Sequence, residues 1–259
     1  MGSVIQLSPA KSILVTGASG LIGGLAARDL SADYIVTALN RRAVDGISTT
    51  QADLADLESI RPAFDGIDTV VHMAAYLGPD VDSHFKVNVH GTYNVFEAAQ
   101  QAGVRRVVFG SSGAATHGYE KEEPYKALIE ARWDDVPDQI DYLNHTAPVR
   151  PRGVYGSVKV AGEALGRAYS DEFGLSVICI RIGRVVQEDR PTDAWHASVF
   201  LSHRDIAQAI RRCVNAPDDL KYDVIYAVSD NKGRWRDIDH ARESVGYVPQ
   251  DGIREWPLA

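Results

Sequence analysis

The segment Thr16-Gly-Ala-Ser-Gly-Leu-Ile-Gly23 decides the fold of this 259-residue chain, because it follows an apolar run directly and opens a helical pattern. In such a turn one glycine permits backbone angles closed to other residues, a second lets a pyrophosphate approach the main chain, and a third lets helix and strand pack closely. The helix that follows adds amide donors and a positive dipole end. The segment predicts a dinucleotide site with contacts at Gly17, Ser19, Gly20, Leu21, Ile22 and Gly23. The alternative is a tight turn without a ligand.

Short β-rich runs alternate with helical patterns on both sides of this turn. The predicted strands are 12–16, 34–39, 69–72, 106–110, 175–181 and 224–228, and the predicted helices are 21–30, 57–64, 85–102, 155–173 and 205–214. Strands that alternate with helices pair in parallel through right-handed crossovers. The pattern therefore predicts an α/β fold: a Rossmann-like, doubly wound parallel sheet with helices on both faces.

The length of the chain favours one domain over residues 1–259. We expect a cofactor-binding core at about 11–181 and a small substrate-side region at about 182–259. Within the core, an insertion at 119–150 interrupts the alternation with prolines, acids and aromatic residues. Irregular connections of this length are usually functional or mobile. We therefore expect residues 113–153 and 184–201 to line a substrate pocket.

Charge and composition narrow the classes of partner. The net charge of -8 opposes binding to nucleic acid, and the eight histidines lack metal-ligand spacing, so no metal is expected. The N-terminus lacks a leader pattern, and no apolar stretch is long enough for a membrane span. We therefore expect a cytoplasmic protein without membrane association. Cys179 and Cys213 are interpreted as small buried apolar residues rather than a disulfide.

The end of the second strand predicts which dinucleotide is bound. An acid at this position holds the ribose hydroxyls of NAD, whereas a basic residue accommodates the 2′-phosphate of NADP. Here the strand is followed by Asn40, Arg41 and Arg42, without an acid. Guanidinium groups suit bidentate phosphate contact, so NADP rather than NAD is predicted. The alternative is a pair of solvated loop arginines.

Two further short motifs have the order expected of a dinucleotide fold. Asp53 and Leu54 follow the next short run, where the carboxylate would lie near the adenine amine. Ala74 and Ala75 follow a later strand and offer small side chains where the backbone passes close to the cofactor.

The predicted catalytic groups begin with Tyr155 and Lys159, which are four residues apart and share a helix face. A nearby ammonium stabilises tyrosinate, which predicts a lowered phenol pKa and proton exchange near neutral pH. Ser111 and Ser112 follow the predicted strand 106–110, where a serine would orient the substrate oxygen beside the tyrosine. The alternative for the two serines is an ordinary turn.

The chain resembles the extended short-chain dehydrogenase/reductase family over roughly residues 11–215. The resemblance is carried by TGASGLIG, ADL at 52–54, HMAA at 72–75, NVHGTYNVFEAA at 88–99, VVFGSS at 107–112 and YGSVK at 155–159. It implies that Tyr155 is the general acid/base, that Lys159 holds the nicotinamide ribose, and that Ser112 orients the substrate. It also implies that Asn88 supports the site and that Ile182 belongs to the cofactor contacts. A homodimer through the helices that begin near Phe85 and Tyr155 is a further family expectation.

Among family members the chain looks most similar to uronate dehydrogenases. It departs from them at two positions. Where this chain has Asn40, those dehydrogenases have an acid, as in an NAD-binding pattern, and where it has Arg184 they have a serine. The loop arginine that holds the sugar carboxylate in those enzymes has no secure counterpart, and Arg184 and Arg190 are the candidates to replace it.

The predicted function is that of an NADP(H)-dependent oxidoreductase that interconverts an alcohol and a carbonyl, as ketone, aldehyde or lactol, on a small polar or sugar-like substrate. One alternative is a nucleotide-sugar epimerase or dehydratase, although only the 78 residues 182–259 remain to hold a nucleotide sugar. A second alternative is a uronate dehydrogenase-like enzyme. A third is a non-catalytic NADP-binding protein, which the intact Ser, Tyr and Lys set disfavours.

Overall fold

A sheet of seven parallel strands forms the centre of the computed structural model, which describes residues 11–256. The strands are β1 (Ser12–Thr16), β2 (Ile35–Asn40), β3 (Ser48–Gln51), β4 (Thr69–His72), β5 (Arg106–Ser112), β6 (Ser176–Ile182) and β7 (Tyr222–Ala227). Their order is β3-β2-β1-β4-β5-β6-β7, and every neighbouring pair is parallel. The predicted Rossmann-like fold is confirmed. Residues 1–10, on which the expectation about a leader rests, lie outside the described range.

Helices connect the strands. They are α1 (Leu21–Leu30), α2 (Leu57–Ile60), α3 (Val81–Ser83), α4 (Thr92–Gln101), α5 (Tyr125–Ile129), α6 (Gly153–Phe173), α7 (Ala194–Val199), α8 (His203–Val214) and α9 (Asp239–Val245). Four further helical segments are Arg61–Phe64, Gly113–Lys121 and Trp133–Asp135, which are 3₁₀, and His84–Gly91, which is a π-helix. Within residues 11–256, every helix is too short or too polar to cross a lipid bilayer.

Several elements differ from the sequence prediction for physical reasons. The strand β3 has the polar sequence STTQ at the sheet edge, so no apolar alternation marks it. The helix predicted at 85–102 consists of a π-helix followed by α4, a change of hydrogen-bond pattern that hydrophobic spacing does not show. The helices α7 and α9 have six and seven residues, which is too short for a clear period.

Both faces of the sheet are buried, as expected for a parallel sheet. Along β1 the side chains of Ile13 and Val15 pack under α1 and α8, and Leu14 packs on the opposite face with residues of α4. Cys213 lies in the first of these apolar clusters and Cys179 in the second, on opposite sides of the sheet. Both cysteines are free, which confirms that they are buried apolar residues and do not pair.

The insertion at 119–150 packs against the C-terminal part of the chain. Leu128 and Leu143 form a third apolar cluster with Trp235 and Tyr226. The backbone of Leu143 accepts a hydrogen bond from Asp237 N at 2.9 Å and donates one to the Trp235 carbonyl at 2.8 Å. The insertion therefore holds the segment between β7 and α9 in place.

A buried ion pair anchors the long helix α6 to the sheet. Glu163 on α6 accepts hydrogen bonds from Arg181 of β6, Nε to Oε1 at 2.9 Å and Nη2 to Oε2 at 2.8 Å. Ser111 of β5 donates to the same Oε1 at 2.6 Å. Charged groups keep their charge in a protein interior only when they are paired and hydrogen-bonded. This network therefore sets the height and rotation of α6 on the sheet.

The substitution Glu163→Gln tests the contribution of this pair to stability. It leaves the buried Arg181 guanidinium without a counterion, so we expect the free energy of unfolding to fall by about 3 kcal/mol. Urea unfolding followed by circular dichroism measures the change. The control is Asp171→Asn, which removes an exposed ion pair with Arg167 on the same helix and should leave the midpoint unchanged. Equal midpoints for the two variants would contradict the interpretation.

Candidate active site

The glycine turn has the geometry that a bound dinucleotide needs. Gly17 has φ +71°, and a Cβ there would lie 2.7 Å from the backbone N and Cα of Ala74. A Cβ on Gly23 would lie 2.3 Å from the Gly17 carbonyl oxygen, so only glycine lets α1 start this close to β1. Gly20 caps α1, and no side chain caps the helix. The first-turn amides of Leu21 and Ile22 therefore remain available to an anion.

The end of β2 presents two unpaired guanidinium groups. Arg41 and Arg42 are exposed, and no carboxylate of the described residues forms an ion pair with either. Asn40 orders this corner: its Oδ1 accepts from Ser19 Oγ at 3.3 Å, and its Nδ2 donates to the Arg42 carbonyl at 2.8 Å. The loop after β2 is thus tied to the glycine turn and lies beside it.

The predicted adenine contact is partly occupied by the protein itself. Asp53 accepts a hydrogen bond from Ala55 N at 3.1 Å and lies 3.3 Å from Lys86 Nζ. The Ala55 N–H and the Lys86 ammonium hold the pKa of the Asp53 carboxyl below its ordinary value. Leu54 is buried beneath this loop.

A cleft of about 500 Å³ opens at the carboxyl ends of β4, β5 and β6. Ile22 at the start of α1 and Ala75 after β4 line one part of it, and Ile182 at the end of β6 lines another. Parallel α/β sheets bind ligands at this edge. The lining residues also include the three predicted catalytic side chains Ser112, Tyr155 and Lys159. The structure therefore brings Ile22 of the glycine turn and the side chains of Ser112, Tyr155 and Lys159 to one cavity.

Tyr155 differs electrostatically from the sequence prediction. Burial raises the pKa of its phenol, while a hydrogen bond with the Ser112 side chain opposes that shift. The Ser112 side chain is the group identified as lowering the phenol pKa. Lys159 Nζ donates to the Gly110 carbonyl at 2.7 Å and lies 5.8 Å from the centre of the Tyr155 ring.

Lys159 is itself perturbed by its surroundings. Its side chain is 3% exposed, and burial lowers its pKa to about 8. The neighbouring His72 is held neutral, because burial and the Lys159 charge lower its pKa to about 3. The uncharged hydroxyl oxygen Thr16 Oγ1 lies 2.7 Å from His72 Nδ1. Lys159 is therefore a cation at neutral pH beside a neutral imidazole.

Asn88 lies behind the cleft rather than on its wall. Its Oδ1 accepts from Tyr76 N at 2.8 Å, and its Nδ2 donates to the Tyr76 carbonyl at 2.9 Å. Its Nδ2 also lies 2.9 Å from His84 Nδ1, and the His84 ring centre lies 6.0 Å from that of Tyr155. Asn88 is thus placed as a positioning residue that holds the loop after β4.

Much of the remaining lining comes from the two segments expected to form the pocket and from a third segment that was missed. Residues 113–153 supply Ala114, His117 and Arg152, and residues 184–201 supply Arg184, Val185, Trp195 and Val199. Arg190 does not line the cleft, and His196 is buried behind it. Sequence reasoning missed Arg236, which reaches the cleft from the segment after β7. No motif marks this residue, since its place depends on how that segment packs.

Comparison with known proteins identifies the family. Residues 13–245 match the profile of the NAD dependent epimerase/dehydratase family. The chain belongs to this family, and the predicted resemblance to extended short-chain dehydrogenases/reductases is confirmed.

Individual relatives are similar over nearly the whole chain. The NAD-dependent glucose-6-phosphate dehydrogenase of Haloferax volcanii is 32% identical, with 94% of this chain and 95% of that protein covered. The L-arabinose 1-dehydrogenase (NAD(P)(+)) of the same organism is 33% identical, with 92% and 96% covered. A solved mutant of uronate dehydrogenase from Agrobacterium tumefaciens, complexed with NAD, has a TM-score of 0.78 at 28% identity and covers 93% of this chain and 85% of its own.

The substitution Gly17→Ala tests the turn. The added Cβ clashes with the Ala74 backbone in addition to the strain of a positive φ, so we expect dinucleotide affinity to fall at least about tenfold. Fluorescence titration with NADPH and NADH measures the affinity. The matched control is Gly66→Ala, because Gly66 has φ +70° with no atom within 4 Å of a Cβ and lies on the link before β4. Similar affinity losses in both variants would refute the steric explanation.

Proposed function

We propose that the protein is an NADP(H)-dependent oxidoreductase that interconverts an alcohol and a carbonyl on a small sugar-like substrate. The observation that supports it is the meeting of Ser112, Tyr155 and Lys159 in the cleft that also contains the start of α1. The glycine turn fits a dinucleotide, because no side chain caps α1 and its first-turn amides are available to a phosphate. Gly17, Ser19, Gly20, Leu21, Ile22 and Gly23 would hold the pyrophosphate, with Ala74, Ala75 and Ile182 beside the rest of the cofactor.

The roles of the side chains follow from their positions. A bound nicotinamide accepts or supplies the hydride. Tyr155 Oη takes the proton of the substrate hydroxyl in oxidation and returns it in reduction. Ser112 hydrogen-bonds the phenol and lies where it also contacts the substrate oxygen. Lys159 keeps a positive charge beneath this centre, held in place by the Gly110 carbonyl.

The size of the cleft favours a single sugar ring as substrate. About 500 Å³ must accommodate the nicotinamide end of the cofactor as well as the substrate, which leaves little room for a nucleotide sugar. The relatives named above are dehydrogenases of glucose 6-phosphate, L-arabinose and uronate. We therefore infer a free sugar or simple sugar derivative, oxidised at one hydroxyl.

The substitution Tyr155→Phe tests the acid/base role. It removes the phenolic proton and keeps the ring, so we expect kcat to fall at least about 100-fold while cofactor affinity stays unchanged. Steady-state kinetics on a panel of aldoses, and NADPH titration of the same preparation, measure both quantities. The matched control is Tyr93→Phe, which alters an exposed phenol on α4. Full turnover by the Tyr155 variant would reject the assignment.

The preference for NADP rests on the corner after β2. Arg41 and Arg42 have no ion-pair partner there, and the corner carries Asn40 where NAD enzymes have an acid. Both guanidinium groups are free to contact a 2′-phosphate.

A double variant, Arg41→Ala with Arg42→Ala, tests this preference. We expect kcat/KM with NADP to fall about tenfold or more, because charge-assisted hydrogen bonds to the phosphate are lost, and kcat/KM with NAD to stay unchanged. The control is Arg61→Ala, an exposed arginine beyond α2 that pairs with Glu58. A wild-type protein that uses NAD with the higher kcat/KM would overturn the proposal.

The homodimer and the cytoplasmic location stay predictions. Phe85 and Tyr93 are exposed on the π-helix and α4, and a dimer through these helices would cover them.

A further inference from the structure

Arg236 is a buried cation with unused hydrogen-bond donors on the wall of the cleft. Its side chain is 1% exposed. Its Nη2 donates to the Gly113 carbonyl at 3.1 Å, while Nε and Nη1 have no partner among residues 11–256. No carboxylate in that range forms an ion pair with it. An unpaired buried charge is costly, so these donors indicate a missing anionic partner.

The other two buried arginines of the described chain have hydrogen-bond partners for their guanidinium groups. Arg106 donates to Ser176 Oγ and to the carbonyls of residues 213, 214, 216 and 217. Arg181 forms its bidentate pair with Glu163. Burial without such partners lowers the pKa of Arg236 to about 10, so the guanidinium is still charged at neutral pH. Arg236 is thus the exception among the buried arginines of the described chain.

Glu120 acts electrostatically on Arg236 but is already engaged by other groups. Glu120 Oε1 accepts from Trp195 Nε1 at 2.8 Å and lies 3.8 Å from His117 Nε2. Its Oε2 lies 3.5 Å from Arg152 Nη1. Glu120 therefore does not supply the partner that Arg236 lacks.

The charge of the cleft is opposite to that of the chain. The protein has a net charge of -8. The cleft is nevertheless lined by four basic side chains and, among the described residues, by no Asp or Glu; the four are Arg152, Lys159, Arg184 and Arg236. A low-dielectric cavity with this lining attracts an anion.

The guanidinium is held in place rather than free to swing. A Cβ on Gly113 would lie 2.8 Å from Nη2 and 2.9 Å from Cζ, so the group rests directly on the Gly113 backbone. On its other side Cζ lies 4.1 Å from the Trp235 ring centre. The main chain on both sides of Arg236 is bonded to Leu143 of the insertion. The unused donors therefore have a fixed direction.

We propose that Arg236 determines substrate specificity by binding an anionic group, a carboxylate or a phosphate, on the sugar whose hydroxyl faces Tyr155. The inference rests on the proposed dehydrogenase function and adds the substrate class: acidic sugars rather than neutral ones. Nε and Nη1 are donors without a partner on a charged group, and a guanidinium forms strong charge-assisted hydrogen bonds with carboxylate or phosphate oxygens.

Kinetics on matched sugars test the specificity. The neutral sugars D-glucose and D-galactose are compared with D-glucuronate, D-galacturonate and D-glucose 6-phosphate. We expect the wild type to favour one of the acidic sugars. A preference for a uronate indicates a carboxylate site, and a preference for D-glucose 6-phosphate indicates a phosphate site. Arg236→Gln should reduce kcat/KM for the favoured acidic sugar about 10- to 100-fold, mainly through KM, and change the neutral sugars less than about threefold. Arg236→Lys should retain part of the preference, and Arg167→Gln, on the exposed face of α6, should retain all of it.

A second variant and a binding measurement distinguish loss of the anion contact from misfolding of the variant. Gly113→Ala displaces the guanidinium without removing the charge, so it should reduce the same preference. At matched ionic strength, inorganic phosphate or D-glucuronate should raise the Tm of the wild type more than sodium chloride does, and should raise that of Arg236→Gln less.

The outcomes separate the two proposals. Turnover that favours neutral sugars, equal losses for neutral and acidic sugars in Arg236→Gln, or loss of the preference only in Arg184→Gln would overturn the role of Arg236 and leave the dehydrogenase intact. Absence of an anion-specific Tm shift in the wild type would also overturn it. Absence of turnover on every sugar with either cofactor, together with an Arg236-dependent Tm shift, would reject the dehydrogenase and retain the anion site.

Discussion

The ion pair between Glu163 and Arg181 is the constraint on which the active site depends. Apolar contacts alone let a helix slide or rotate by small amounts on a sheet, whereas a bidentate pair has a direction and a fixed length. Glu163 lies one turn beyond Lys159 on α6, and Ser111 joins the pair one residue before Ser112. Tyr155 and Ser112 are therefore brought together by a contact two turns away.

The same ion pair extends to the substrate side of the molecule. Arg181 Nη1 donates to Tyr226 Oη at 3.1 Å and to the His145 carbonyl at 3.3 Å. Tyr226 belongs to β7 and His145 to the insertion, so one buried guanidinium connects the sheet, α6 and the insertion. The insertion in turn holds the segment of Arg236 through Leu143. The position of the catalytic helix and the shape of the pocket are thus set by one connected network.

The acidic and basic side chains in and around the cleft differ in how they are hydrogen-bonded. Acidic side chains near the cleft are bonded elsewhere, as Glu163 is to Arg181 and Glu120 is to Trp195. Among the basic groups of the lining, Arg236 keeps two donors without a partner in the described chain. In an acidic protein this arrangement gives the cleft a local field opposite to that of the surface, which favours entry of an anionic substrate.

The sequence by itself determined the doubly wound sheet and the glycine turn between β1 and α1, and it predicted Tyr155, Lys159 and Ser112 as the catalytic side chains. These features are local, since glycine spacing, strand patterning and a four-residue helix repeat act within a few residues. Only the tertiary structure decided that burial raises the Tyr155 pKa, that Asn88 holds the Tyr76 loop, and that Arg236 reaches the cleft. Each of these depends on side chains from distant segments that come together in a low-dielectric interior. Residue spacing along the chain does not show which of these side chains come together.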